Sequence, residues 1–196
     1  MEDTKLSIVI AVVPGTRTLG VAVFKGLELV YYGIKEASKD RLKHTPHSRA
    51  REAVHSIEQV IHKYQPDHFV TLSPHPFQCL SDKLPVIIEE IRRSAHHLRL
   101  RFYEYQRTEL RNQLCPSTRA TRQAVAAHLA VLYPELSRYV RGVSVWQRRY
   151  YARMFDAVAA GYDFALVLQR ERERIELARL DQQTIIINTN SCETVP

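Results

Sequence analysis

Between Arg138 and Arg153 the chain reads RYVRGVSVWQRRYYAR, in which Arg138, Arg141, Arg148 and Arg149 interleave with Tyr139, Trp146, Tyr150 and Tyr151. Guanidinium groups neutralise phosphates and aromatic faces stack on unpaired bases, so the chemistry this segment offers is recognition of nucleic acid. A second reading stays open beside it: Trp146 and some tyrosines fill the core, and the arginines solvate a helix. Carboxylates spaced for metal or acid–base work are few. Asp156 and Asp163 fall two turns apart on nearly one helical face, and Glu104 lies in a strand-like stretch. Each has an ordinary alternative, an ion pair with a nearby arginine for Asp156, a solvated face for Asp163 and a cross-strand partner for Glu104. His75 stands close to Ser73, but nothing supplies the third group that a nucleophilic dyad needs. His96 and His97 are adjacent and so face different sides of a helix. Cys79, Cys115 and Cys192 are odd in number and far apart, which fits reduced thiols and neither a disulfide framework nor a zinc site.

The elements that would position these groups are legible from periodicity. Ser7 to Val13 is a continuous β-branched run of strand length, apolar on both faces, and it stops at Pro14-Gly15. Gly20 opens a second run through Phe24, so the pattern is strand, tight turn, strand, with Glu28 to Ile34 as a third, aromatic-rich strand. Lys35 to Arg51 is a basic polar loop. Ala50, Val54, Ile57, Ile61 and Tyr64 recur at helical spacing and end before Pro66, and Asp67 to Leu72 follows as a short strand. A helix is predicted from about Leu84, a strand over Phe102 to Tyr105, a loop carrying Arg107 and Arg111, and helices over Ser117 to Leu132 and Tyr151 to Arg179. Thr184 to Asn188 reads as a short strand, and Ser191 to Pro196 as a frayed tail.

Several of these residues stand in an order that resembles the RuvC-type Holliday-junction resolvases of the RNase H-like superfamily. That family opens with a strand ending in Asp-Pro-Gly-Ser-Arg and a nearby Gly; this chain has Val13-Pro14-Gly15-Thr16-Arg17 and Gly20. Gln65-Pro66-Asp67 matches the family's entry to its fourth strand, whose last residue is a metal-binding Glu where Leu72 stands here. Tyr103-Glu104-Tyr105 matches the fifth strand, Arg111 the basic residue that approaches DNA, and Arg122 lies close to a family Lys. The family's last helix begins with two Asp residues three apart, matched by Arg153 and Asp156. The resemblance runs from Ile8 to about Ala165, and the YqgF-type nucleases share a similar opening.

What the resemblance implies is an α/β RNase H-like fold, a five-stranded mixed sheet of three antiparallel strands followed by parallel ones, flanked by helices. It also implies phosphodiester hydrolysis by two divalent ions clamped between carboxylates. Magnesium needs anionic oxygens, which Val13 and Leu72 lack and Arg153 opposes, leaving Asp156 alone of four positions. The expectation is a catalytically degenerate RuvC-like protein with no metal or other cofactor that binds branched DNA or structured nucleic acid, RNA included. Arg17, Arg107, Arg111, Arg119 and Arg122 would gather where the family holds its substrate, with Arg141, Trp146, Arg148 and Arg149 adding to the surface. Two alternatives are an active Mg²⁺-dependent nuclease using Glu104, Asp156 and Asp163, and a structural subunit that holds another protein. A homodimer is implied by the resemblance only.

Composition agrees with this picture. Twenty-eight basic against twenty-one acidic residues give a formal charge of +7, consistent with a polyanionic partner. With 45% hydrophobic and 25% charged residues, the chain reads as one globular domain over 1–188 with a tail over 189–196. No apolar run is long enough to cross a bilayer and no secretory pattern is present, so a cytoplasmic location without membrane partners is expected.

Overall fold

The computed structural model describes residues 6–36, 45–73, 83–116 and 121–191, with side chains as far as residue 180. A five-stranded mixed sheet forms its centre. β1 (Ile8–Val13), β2 (Thr18–Lys25) and β3 (Glu28–Glu36) are antiparallel, while β4 (His68–Leu72) and β5 (Arg101–Tyr105) run parallel to β1, in the order β3-β2-β1-β4-β5. This is the α/β five-stranded mixed sheet that the resemblance implies. The apolar run of β1 is buried on both faces because helices cover the sheet on each side.

Strand alternation divides the core into two layers. Ile10, Val12 and Phe69 face α1 (Pro46–Tyr64) and α2 (Lys83–His97), against Ala53, Ile57, Ile87 and Ile91. Val9, Ala11, Val13, Val70 and Leu72 face the other layer, made of α3 (Arg107–Leu114), α4 (Arg122–Leu132), a 3₁₀ turn (Pro134–Tyr139) and α5 (Val145–Ser191). α5 crosses β2 so closely that a Cβ on Gly20 would lie 1.9 Å from the Arg153 carbonyl oxygen, an approach only glycine permits.

The Gln65-Pro66-Asp67 motif has a mechanical role. Gln65 ends α1 in the left-handed region (φ 49°), its N–H donating to the Ile61 carbonyl at 2.8 Å. The Asp67 N–H then donates to the Ile8 carbonyl at 2.8 Å, while its carboxylate accepts from the Ile8 N–H at 2.9 Å. One carboxylate thus sets the register at which β4 enters beside β1.

Several predicted elements differ. Within Lys35 to Arg51, predicted as a loop, β3 runs on to Glu36 and α1 starts at Pro46, and the helix predicted from Ser117 starts at Arg122, after the extended cap Thr121. The stretch from Arg107 is a helix and not a loop, with only Leu110 and Leu114 buried. The last helix begins six residues earlier than Tyr151, because Ser144 and Gln147 form a reciprocal cap: the Ser144 N–H donates to Gln147 Oε1 at 2.8 Å and the Gln147 N–H to Ser144 Oγ at 3.2 Å. Thr184 to Asn188 is not a strand. Neither Gly nor Pro occurs between Arg179 and Ser191, and α5 continues through this stretch to Ser191.

His68 on β4 is 3% exposed, between the rings of Phe164 (5.3 Å) and Tyr103 (5.8 Å), and its Nδ1 has no hydrogen-bond partner among the described residues. Burial, with the nearby Arg101 and Arg172 cations, holds its pKa below the ordinary 6.5, against smaller opposing effects of Asp67 and Glu171. The neutral ring is the form that folds. Its contribution is complete above pH 6.5 and is lost as pH falls from there through the depressed folded value. Urea unfolding of wild type and His68→Leu between pH 7.5 and 5 should therefore show the wild type losing more stability on acidification; parallel losses would contradict this assignment.

Candidate functional site

The candidate site lies at the carboxyl ends of β1 and β4, on the face covered by α3, α4 and α5. Val12 pairs with Thr71, which places Val13 and Leu72 side by side at the strand ends, 1% and 2% exposed and packed into the core of that layer. They present only hydrocarbon at these strand ends.

Above them stands a cluster of arginines around one acid. The Arg107 side chain, at the start of α3, forms a salt bridge with Asp156 of α5, and both are about nine-tenths buried. Arg122, the first residue of α4, reaches the same Asp156 oxygen at 3.7 Å. It is held there by the Thr121 cap, whose Oγ1 accepts from the Ala124 N–H at 3.1 Å. Arg153, one turn before Asp156, lies over the β1–β2 turn. A Cβ on Gly15 would fall 2.1 Å from Arg153 Nε, and Arg153 Nη1 donates to Thr18 Oγ1 at 3.3 Å. Gly15 therefore serves as the floor on which this guanidinium rests.

The electrostatics follow from that crowding. Burial pushes the Arg153 pKa down, as do Arg107 and Arg122, with Asp156 opposing them. Burial also lowers Arg111; Asp156 opposes this, and Arg122 and Arg107 add to it. Guanidinium groups do not give up their protons in proteins, so four cations stand near one carboxylate, two of them paired with it, and the surplus charge is fixed. Arg107 Nε is buried and has no hydrogen-bond partner among the described residues. An anion entering here would relieve the mutual repulsion and satisfy that donor.

The structure brings Arg107, Arg111, Arg122 and Arg153 together with Asp156, and the ion-pair reading of Asp156 holds. Arg17 is exposed on the turn over which Arg153 lies. Arg141, Arg148 and Arg149 are exposed, on the turn before α5 and on its first turns. Trp146 is 71% exposed and stacked on Tyr150 (5.7 Å, 10°), which overturns its reading as a core residue. Arg119, Ser117 at the predicted start of α4, His75, Cys79 and Cys192 lie outside the described residues.

The three carboxylates of the alternative nuclease are not brought together. Glu104 has no cross-strand partner of the kind expected of it: it accepts from Ser73 Oγ, just past the end of β4, at 2.7 Å and from Arg92 of α2 at 3.0 Å, whereas α5 carries Asp156 on the opposite side of the sheet. Asp163 is buried against the layer of Tyr105 and Phe164, and burial raises its pKa, opposed by Arg170. The same burial, with Asp163 nearby, pushes the Tyr105 hydroxyl up to about 12. No group of three His, Cys, Asp or Glu side chains that could hold a metal occurs among the described residues.

Two features escape sequence reading. Arg153 falls at a recognisable position, but its seat on Gly15 depends on where α5 crosses the sheet. The capping box Ser144-Val145-Trp146-Gln147 does carry a signal, the S-x-x-Q pattern.

The sequence matches no family model and no curated protein. Its fold, however, is similar to solved resolvases. Thermus thermophilus RuvC in complex with Holliday junction substrate superposes with a TM-score of 0.63 at 15% identity, over 84% of this chain and 96% of that one. A second T. thermophilus RuvC structure gives 0.64 at 14% identity over the same shares. The yeast mitochondrial Holliday junction resolvase Ydc2 gives 0.62 at 8% identity, over 88% of this chain and 84% of that one. The class these similarities define is the RuvC-like RNase H fold.

A pair of divalent ions at the strand ends does not fit the residues present. Two of the four positions are buried hydrocarbon, Arg153 places a guanidinium over the turn between β1 and β2, and Asp156 is already engaged by Arg107. No helix among the described residues is long and apolar enough to cross a membrane.

Proposed function

We propose that this chain is a RuvC-like nucleic-acid-binding protein that holds branched DNA or structured nucleic acid without cutting it. The observation that carries the reading is the set of four guanidinium groups around one carboxylate, at the strand ends where Val13 and Leu72 stand in place of acids. Fixed surplus positive charge suits a phosphodiester, and arginine's planar fork suits it better than a point charge would. Arg17, Arg141, Arg148 and Arg149 extend the positive surface, and the exposed Trp146–Tyr150 stack supplies a face for an unpaired base. Support also comes from the fold, since one of the RuvC structures it resembles was solved with Holliday junction substrate.

Binding needs only this charge and these surfaces, whereas two-metal hydrolysis needs several oxygen ligands. Four-way junctions, flaps and RNA hairpins incubated with Mg²⁺ or Mn²⁺ should be bound and recovered uncut. Metal-dependent cutting that disappears in Asp156→Asn would overturn the degenerate-site reading.

A further inference from the structure

Between α4, the 3₁₀ turn and the first turns of α5 lies an open cavity of about 540 Å³. It falls within the range of small-molecule sites, about 300–1,000 Å³. Its space comes from small residues on facing helices, Ala126 and Ala127 on α4 and Ala152 on α5. Val125, Val140, Val145 and the rings of Tyr139 and Phe155 make the walls apolar. Tyr139 is fixed in place by edge-on packing with Tyr32 (6.0 Å) and Tyr151 (4.7 Å), and by the Arg138 guanidinium 4.8 Å from its ring centre. The walls are thus built before any ligand arrives, which limits the entropy lost on binding.

The rim differs from the walls. Arg122, Arg148 and Arg149 line the cavity, with Asp156 as its acid. Arg122 and Asp156 also belong to the arginine cluster, so the cavity opens directly beside the proposed phosphate site. An occupant must combine an apolar body with negative charge at the mouth. A fatty acid or an acidic peptide segment meets that description in part. A nucleotide meets it in full, because its base offers a flat face to Tyr139 and Phe155 while its phosphates remain continuous with those on the neighbouring arginines. A base stacked and paired in a duplex cannot reach the walls, so the nucleotide must be unpaired and turned out of the helix.

We propose that this cavity receives one extrahelical base of a branched nucleic acid, with the flanking phosphates on Arg122, Arg148 and Arg149. The proposal rests on the nucleic-acid reading above and adds to it a preference for an unpaired nucleotide at the branch.

The test compares a fully paired four-way junction with the same junction carrying one unpaired 2-aminopurine at the branch. Wild-type protein should bind the second about 10-fold more tightly, the scale of one base stacked on aromatic side chains, and should change the 2-aminopurine fluorescence. Ala126→Leu and Ala152→Leu fill the cavity. Each should bind both junctions alike, at the affinity of the paired one, and abolish the fluorescence change. If either variant melts early, Arg148→Ala/Arg149→Ala replaces it. Both positions are exposed, and the double variant should reduce the preference while leaving the melting temperature unchanged. Equal wild-type affinity for the two junctions overturns the cavity proposal and leaves nucleic-acid binding standing, as does a preference that survives filling. Displacement of an apolar dye by a fatty acid or peptide, with the junctions indifferent to filling, overturns it in favour of those occupants. Failure to bind either junction overturns both readings.

Discussion

Asp156→Ala should destabilise the free protein by about 3–5 kcal/mol, the cost of stripping one partner from a buried ion pair and leaving the other charge uncompensated. The stranded group is Arg107, whose side chain is 12% exposed, and Arg122 and Arg153 then face it without any intervening acid. Urea unfolding would read the loss. The same variant should regain stability in sulfate or phosphate to a greater extent than wild type, because an anion binding only the folded state stabilises it by mass action. Junction affinity should rise or hold. A metal-dependent nuclease would show the reverse pattern, with activity abolished and no gain in anion binding, since the carboxylate there serves a cation.

Arg111→Ala/Arg122→Ala should weaken binding to a fully paired junction by a similar factor whatever its base sequence, because an arginine on a phosphate reads no base. Each phosphate left without its arginine lowers the magnitude of the logarithmic salt slope by about 0.7–0.9, so the double variant should show a drop of about 1.4–1.8. Arg122 is the cleaner half of the pair, with 48% side-chain exposure and a long 3.7 Å approach to Asp156, so its removal costs the fold little. Arg107 is a poor choice for this experiment, since its removal would strand Asp156 in turn. A double variant with unchanged slope would show that these arginines solvate the site and touch no phosphate.

Much of the frame is legible in the sequence because short-range physics sets it. Pro14-Gly15 ends β1 and Gly20 admits α5, so the first strands and their turn follow from residue type alone. The absence of acids at Val13 and Leu72 is likewise a sequence fact, and the parallel pairing of β1 with β4 makes it a single site. α3 is not legible because only Leu110 and Leu114 are buried among eight residues, too few to mark a period; its helicity depends on packing against α5. Thr184 to Asn188 misleads because β-branched residues favour strands locally, while helix propagation without a stop signal prevails over that preference. Trp146 cannot be placed from sequence, since an aromatic within a basic run suits core and surface alike. The Arg107–Asp156 pair joins residues 49 positions apart, and the cavity depends on which alanines face each other across two helices. Such facts belong to tertiary geometry.

That arginines, without metal, hold nucleic acid at these strand ends is tested most directly by titrating a labelled four-way junction with wild-type protein in EDTA across a series of salt concentrations. The expected result is saturable binding whose log Kobs falls linearly with log salt, with a slope that counts several phosphates. Absence of salt-sensitive binding to branched, single-stranded or duplex nucleic acid at low ionic strength, or binding that emerges only when Mg²⁺ is added, would contradict it.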